Sequence, residues 1–230
     1  DGFVLIAAAV FIVPLLLAAL GGVRLLAHLM DRDILAAVWT SAAIALPASL
    51  LSTAIALSIA FAARHARFRL RRKGFALFHA AVPMAALAIP PFALAAGLYV
   101  LLRRTIDPAL LGWIVVPLIN GLSALPFVYR LLETPLMVSE DNHGRVAAHL
   151  NLAGFARFWL IDFAVVKRPL MAALALAFAL SLGDFGVAAL FGGAEFRTLP
   201  LLLHERHGSY RLEEAGAIAS LLVLIVFGLS

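Results

Sequence analysis

Few residues in this chain of 230 could do chemistry, and the most prominent is a single acid inside an apolar run. Asp184, with Phe185 and Gly186, matches the metal-binding tripeptide of protein kinases. The chain has no Gly-rich loop, strand lysine or H-R-D loop to accompany it, so the tripeptide does not predict a kinase site. The chain also lacks a G-x-x-x-x-G-K-[ST] loop, so we expect it to bind no nucleotide phosphate.

A second candidate is the string His204-Glu205-Arg206-His207, in which two imidazoles three residues apart would share a helix face. The spacing differs from that of the H-E-x-x-H zinc helix, and no third ligand is evident. The absence of cysteine excludes disulfides and cysteine-ligated metals. We interpret the string as a polar loop between two membrane spans. We predict no catalytic residue, no metal site and no cofactor bound by this chain.

Asp184 still needs an explanation, because a carboxylate near the centre of a membrane costs ~2.5–3.5 kcal/mol. Such an acid usually faces a cavity or a partner. Alternatively, Gly183 and Gly186 break the helix there, and Asp184 caps the exposed backbone N–H groups. The residues alone leave both interpretations open.

The elements that must position these residues are membrane helices. Hydrophobic residues make up 64% of the chain and charged residues 13%, against roughly half and a quarter in soluble domains. Six apolar runs lack charged residues apart from Asp184: 2–23, 34–63, 75–102, 109–129, 169–194 and 215–230. They are continuous and rich in Ala and Leu, which favours helices over the alternating strands of a barrel. The sequence therefore predicts an all-α membrane protein with six spans.

Two further features qualify this prediction. The last run has 16 residues, whereas a span needs about 20, and the chain begins at Asp1 without a basic leader. We therefore expect the chain to be one domain, residues 1–230, of a longer protein. Prolines inside the runs, with Pro90 and Pro91 adjacent, predict a bundle that bends around a cavity.

The distribution of Lys and Arg predicts the orientation. Eleven of them lie in segments 64–73 and 130–168, against seven in the alternate loops. Because positive residues are retained on the cytoplasmic side, both segments are predicted to be cytoplasmic. The net charge of +5 is then explained by positive loops that lie beside anionic lipid on the cytoplasmic side, and it indicates no nucleic-acid partner.

Segment 134–168 is a polar, helix-forming insert in this apolar chain. Thr134 and Pro135 predict a helix start, with a second possible start near Ser139. Asn151 predicts a bend, followed by a second helix over 155–166 before Pro169 opens the next span. An apolar cluster too large to leave in water surrounds the bend: Leu150, Leu152, Phe155, Phe158 and Trp159. We expect this insert to dock onto a soluble partner.

The insert resembles the cytoplasmic coupling loop of the permease subunits of binding-protein-dependent ABC importers. That loop reads E-A-A, three residues, Gly, nine residues, then I-x-L-P. Setting Asn151 on the Gly places Ala147 on the second Ala and Ile161 on the Ile. The departures from the pattern are Arg145 for Glu, Val146 for the first Ala, Asn151 for Gly, Phe163 for Leu and Ala164 for Pro. The resemblance implies these ATPase-coupling residues: Arg145, Ala147, Ala148, Leu150, Asn151, Leu152, Phe155 and Ile161.

Other strings are similar, within that family, to the C-terminal half of the permeases of thiamine importers. They are N-G-L-S-A-L-P-F at 120–127, S-L-G-D-F-G at 181–186, T-L-P-L at 198–201 and G-S-Y-R at 208–211. The resemblance covers nearly the whole chain. It implies a six-helix, type I (MetI-like) transmembrane domain that forms the second half of a fused permease.

The resemblance also implies partners and a cargo. A periplasmic substrate-binding protein, a second permease half and a cytoplasmic ABC ATPase dimer, which uses ATP and Mg, would work with this chain in the bacterial inner membrane. Thiamine carries a permanent positive charge, which places Asp184, with Gly183 and Gly186, on the substrate pathway. Iron(III) and polyamines remain alternative cargoes. A membrane enzyme using Asp184, His79 or His204, and a non-transporting scaffold, remain alternatives from other classes.

Overall fold

A computed structural model of the chain describes residues 31–70, 72–152, 154–193 and 196–228. Within these ranges the chain is almost entirely helical and forms no β-strand. The first predicted span, 2–23, lies outside the described residues.

The described elements follow one another with short connections. In chain order they are α1 (Arg32–Phe68), α2 (Lys73–Ala85), a 3₁₀ turn (Ala86–Ala88), α3 (Pro91–Leu102), α4 (Pro108–His149), α5 (Gly154–Arg157), one π-helical turn (Phe158–Asp162), α6 (Phe163–Leu182), α7 (Gly186–Ala189), α8 (Leu199–Gly208) and α9 (Leu212–Gly228).

Three helical runs in the described part of the chain are long and apolar enough to cross a membrane. They are Arg32–Phe68, Leu110–His149 and Gly154–Ala189, and Gly74–Ala88 with Pro91–Leu102 makes a fourth if the bent pair is one span. Helix α9 has 17 residues, fewer than the about 20 that a straight span needs. The structure thus confirms an all-α membrane protein, while the number six stays a prediction.

The prolines bend one predicted span, as expected, but two other prolines do not mark helix starts. The predicted span 75–102 bends by 78° at the Pro90-Pro91 pair, which supplies no backbone N–H. Conversely, Thr134-Pro135 does not start a helix: α4 continues through Pro135 to His149 without a second start near Ser139. Pro169 likewise lies inside α6 and opens no new span. A long packed helix tolerates the loss of one hydrogen bond because the turns on either side hold it in place.

Helix α1 packs lengthwise against α4 and α6 because its buried face consists of small side chains. That face carries Ala37, Ser41, Ala45, Ala48, Ser52, Ala56, Ala60 and Ala63, at intervals of three or four residues. Small residues at this spacing allow close approach of helix backbones in a membrane. The approach is closest at Gly121 of α4, where an added Cβ would lie 3.0 Å from the carbonyl oxygen of Ala48.

The long helices exceed the thickness of a bilayer. At ~1.5 Å per residue, α1 (37 residues) is about 56 Å long and α4 (42 residues) about 63 Å, against a hydrocarbon core of about 30 Å. Contacts between Arg64, Glu140 and Asp162 bring the C-terminal ends of α1 and α4 together with the start of α6. The bundle is therefore longer than the hydrocarbon is thick, and the charged residues of α4 lie at this end.

Candidate functional site

The bend between α4 and α5 is a closed helix terminus. Leu152 N–H donates to the Ala147 carbonyl (2.9 Å) and Asn151 N–H to the Ala148 carbonyl (3.2 Å). Asn151 has φ +50°, the left-handed conformation that this double hydrogen bond requires. Gly154 also has a positive φ, +57°, and is the first residue of α5. The predicted bend at Asn151 is confirmed, and its shape is fixed by backbone hydrogen bonds.

Large apolar side chains lie exposed around this bend. Leu150 is 64% exposed, Phe155 76%, Trp159 51% and Leu160 67%; we call these four residues the apolar bend surface. The ring of Trp159 packs against those of Phe155 and Phe163, with centroid distances of 6.1 and 4.7 Å. This surface adjoins the end of the bundle where the charged residues of α4 lie.

Behind the bend lies a network of four charged side chains, Arg64, Glu140, Arg157 and Asp162, which we call the ion network. The Arg64 guanidinium donates two hydrogen bonds to Asp162, Nη1 to Oδ1 at 2.7 Å and Nη2 to Oδ2 at 3.0 Å. Arg157 forms a close ion pair with Glu140. Arg64 Nε lies 3.6 Å from Glu140 Oε2, and Arg157 Nε lies 3.7 Å from Asp162 Oδ2, so each arginine contacts both acids.

The ion network is buried and neutral in sum. Its side chains are between 1% and 12% exposed, with Asp162 the most buried. Ser139 adds a hydrogen bond from its hydroxyl to Asp162 Oδ1 at 3.2 Å. Burying an ion is expensive unless it is paired and hydrogen-bonded, and here two pairs meet that condition together. The network joins α1, α4 and the segment formed by α5 and the π turn.

Sequence analysis missed these four residues as a site. Arg64 borders an apolar run, and the other three lie in the polar insert 134–168, where charged residues usually face water or lipid headgroups. Arg157 and Asp162 lie five residues apart inside the apolar cluster of the bend, and this is the signal that could have indicated a buried pair. Their partner Arg64 is 98 positions away from Asp162, and no local pattern predicts that contact.

The residues implied by resemblance to couple to an ATPase gather at the bend, in two environments. Arg145, Ala148, Leu150, Asn151 and Phe155 are exposed, Leu152 and Ile161 are partly buried, and Ala147 is fully buried. Ala147 and the inner face of the π turn therefore pack against the bundle. The exposed residues are the ones available to a partner.

Asp184 lies where α6 ends and the short helix α7 begins. Its carboxylate accepts hydrogen bonds from the backbone N–H groups of Val187 (to Oδ1) and Ala188 (to Oδ2), each at 3.3 Å. Gly183 terminates α6, and an added Cβ there or at Gly186 would meet no atom closer than 3.5 Å. The helix break and the capping role considered from the sequence are thus both present.

A second polar contact lies beside Asp184. The Asn120 amide donates to the Ser181 hydroxyl at 3.0 Å, and both side chains are buried. This joins α4 to the last turn of α6, inside the segment that crosses the membrane. Asn120, Ser181 and Asp184 all lie in the strings that carried the family resemblance.

The string at 204–207 was predicted to be a loop, and this is wrong, because these residues form the last turns of α8. Arg206 donates to Asp33 at 2.8 Å and lies 3.4 Å from Glu214. His204 packs on the Phe185 ring at 4.9 Å. In the described ranges no three His, Asp or Glu side chains come together as a metal site.

Segments predicted to share a side of the membrane are in contact. Arg64 reaches Asp162 from one predicted cytoplasmic segment to the other. At the opposite end of α1, Asp33 reaches Arg206 between two predicted outer segments. The structure therefore agrees with the grouping of these segments.

Taken together, long apolar helices, a capped acid within a candidate span and an exposed apolar bend define a multi-pass α-helical membrane protein. Comparison with known proteins gives the more specific relationship. No family model matches the chain.

Curated relatives align along nearly all of it. The chain is 34% identical over 230 residues, 99% of its length, to the thiamine transport system permease protein ThiP of Escherichia coli. It is 36% identical over 201 residues to ThiP of Brucella abortus, covering 87% of this chain, and 34% identical over 214 residues to ThiP of Haemophilus influenzae, covering 93%. The chain is a homologue of the thiamine transport system permeases. It spans 43%, 36% and 40% of the lengths of these three relatives, respectively.

Proposed function

We propose that this chain is a transmembrane domain of the permease of an ATP-binding cassette importer, and that the importer carries thiamine across the bacterial inner membrane. The observation that carries the proposal is the apolar bend surface on a buried ion network, in a chain homologous to thiamine transport permeases. The protein supplies the path, and ATP is hydrolysed with Mg on a separate ATPase dimer. The chain itself holds no cofactor.

The bend has the physical properties that coupling requires. A loop that converts the rotation of an ATPase subunit into a helix tilt must keep its shape under load. The backbone of the bend is held by the hydrogen bonds at the helix end around Asn151, and the ion network holds the base of the bend. Leu150 and Phe155, with Asn151 and Leu152 between them, are the proposed contact residues. Arg145, where the family has Glu, alters one charge beside that contact and leaves the apolar part unchanged.

The proposed architecture is the six-helix, type I arrangement, with segments 64–73 and 130–168 in the cytoplasm and residues 1–230 as one domain. The charge bias of these segments supports the orientation. A second permease half would complete the pathway. Support comes from an open apolar groove of about 710 Å³ between α1 and α6, lined by Leu46, Leu50, Met171 and Phe178 among others. A periplasmic binding protein would deliver substrate at the Arg206 end.

We further propose that Asp184 supplies a negative charge on the substrate pathway. Its carboxylate is only partly buried, although it caps α7. Gly183 and Gly186 flank it, and an added Cβ at either would make only ordinary van der Waals contact, at 3.5 and 4.0 Å. A fixed negative charge there would favour a permanently cationic cargo over a neutral one.

Reconstitution tests this function. The full permease, assembled with its ATPase and binding protein in liposomes, is predicted to take up labelled thiamine only when ATP is supplied on the ATPase side. An excess of unlabelled thiamine should abolish the signal, whereas excess iron(III) or polyamine should leave it unchanged. No uptake of thiamine together with ATP-dependent uptake of labelled iron(III) or polyamine would assign the cargo to that alternative class. ATP-independent uptake would contradict the importer mechanism.

A further inference from the structure

We propose that Arg64 and Asp162 are positioning residues that attach the bend to α1, so that α1 moves with the bend as one body during transport. This rests on the proposed function and adds to it, because the sequence pattern of the coupling loop covers only residues 145–164. Here the acid at the base of that segment is bound instead by a residue near the end of α1.

The geometry of the contact between Arg64 and Asp162 fixes the orientation of the two side chains. A planar guanidinium that donates two parallel hydrogen bonds to one carboxylate permits little rotation about the pair. The two bonds measure 2.7 and 3.0 Å, and Asp162 is 1% exposed. The Arg64 guanidinium also lies 4.9 Å above the ring of Phe61, and that ring packs on Phe158 of the π turn at 5.9 Å. Polar and aromatic contacts thus attach the same two segments.

Stability alone does not account for four buried charges at this position. Replacing a buried ion pair with well-packed apolar side chains is often neutral or stabilising, so such pairs are weak evidence for a stabilising role. Their distinct contribution is orientation, since an apolar contact tolerates sliding and a two-point salt bridge does not. The π-helical turn Phe158–Asp162 ends at the bound acid, and α6 begins at the next residue.

Helix α1 is suited to carry the motion onward. It runs unbroken from Arg32 to Phe68, and its small-residue face packs on both α4 and α6. At its other end Asp33 pairs with Arg206 of α8, 2.8 Å apart. One continuous helix, with Pro47 inside it, therefore connects the bend to the opposite end of the bundle, where substrate would be delivered.

The test is a paired substitution in the complete transporter, reconstituted with its ATPase and binding protein. Arg64→Met with Asp162→Leu removes one ion pair and leaves the Arg157–Glu140 pair intact and neutral. The matched control is Arg130→Met with Glu133→Leu, which removes an ion pair of α4 whose arginine is 68% exposed. Two quantities are measured. The first is the distance distribution between spin labels attached at Arg67→Cys and Ala156→Cys, both exposed positions. The second is the stimulation of ATP hydrolysis by thiamine-loaded binding protein.

The paired substitution is expected to broaden the distance distribution and to lower the stimulation about fivefold, with basal hydrolysis retained. The control pair should change neither quantity. A narrow distribution together with full stimulation would overturn the proposal, as would broadening without loss of stimulation. If the paired variant fails to fold, Arg64→Lys takes its place: it keeps the charge and loses the two-point geometry, so it is expected to give the same changes at smaller amplitude.

The outcomes separate this inference from the function on which it rests. If the bend does not contact an ATPase at all, the proposed function fails and stimulation is absent in the unsubstituted protein. If stimulation is present and insensitive to the paired substitution, only the role assigned to Arg64 and Asp162 fails.

Discussion

Arg64 and Asp162, 98 positions apart in the chain, form a two-point salt bridge with N–O distances of 2.7 and 3.0 Å. It joins the end of one long membrane helix to the base of a bend whose outer face is apolar. Together with Glu140 and Arg157 it forms a buried group of alternating charges. In the proposed function, this base is the contact through which the docked bend transmits force to the bundle.

Neutralising the most buried acid should destabilise the protein strongly. Asp162→Asn leaves Arg64 and Arg157 with less negative charge than positive in a buried site, and removal of one buried partner costs about 3 kcal/mol or more. We expect this loss in the free energy of unfolding measured in mixed micelles. The control Asp141→Asn, at an exposed position of α4, should change it by less than about 0.5 kcal/mol. Equal effects at the two positions would show that the network is not buried as described.

Two glycines should respond oppositely to the addition of a methyl group. Gly121→Ala places a Cβ 3.0 Å from the Ala48 carbonyl oxygen, so α1 and α4 must separate, at a cost of about 1–3 kcal/mol. Gly97→Ala, in α3 with no atom within 4 Å of the added carbon, should be neutral or slightly stabilising, because Ala favours helix. Unfolding of both variants in the same micelles provides the comparison. A destabilisation of Gly97→Ala as large as that of Gly121→Ala would contradict the close helix approach.

The left-handed residue at the bend gives a further prediction. Asn151→Val should cost about 1–2 kcal/mol, because a β-branched side chain clashes at φ +50°. Asn151→Gly should retain stability, since glycine has no Cβ. The control Asn142→Val lies in the regular helix α4, where Asn and Val have similar propensities. Equal stability of the two valine variants would mean that residue 151 is not left-handed in solution.

The sequence predicted features that depend on neighbouring residues and missed contacts between residues far apart in the chain. The apolar runs predicted the membrane helices, and Asn151 predicted the bend, because both signals are local. Pro135 was misleading, since proline at a helix start and proline inside a packed helix have the same sequence signature. The pairing of Arg64 with Asp162 was invisible because it depends on how α1, α4 and α6 pack, which no local pattern contains.

The capping role and the proposed pathway role of Asp184 are separable by substitution. Asp184→Asn keeps an oxygen for the α7 backbone and removes the charge, so we expect it to fold and to lower thiamine uptake about tenfold, equivalent to ~1.4 kcal/mol of lost interaction. Asp184→Ala removes the cap as well, at a further cost in stability of about 1 kcal/mol. Uptake by initial rate and stability by unfolding are measured on the same preparations. Undiminished uptake by Asp184→Asn would limit the residue to capping.

The most direct test of the central claim is a cross-link between the bend and an ATPase subunit. The 230 residues contain no cysteine, so Leu150→Cys and Phe155→Cys, in the apolar bend surface, introduce single reactive thiols. Tyr210→Cys, 90% exposed at the other end of the bundle, is the control. In the assembled transporter we predict that a reagent with one thiol-reactive and one amine-reactive end captures the ATPase from positions 150 and 155 and not from 210. Capture from position 210 alone would contradict both the docking role of the bend and the orientation of the chain.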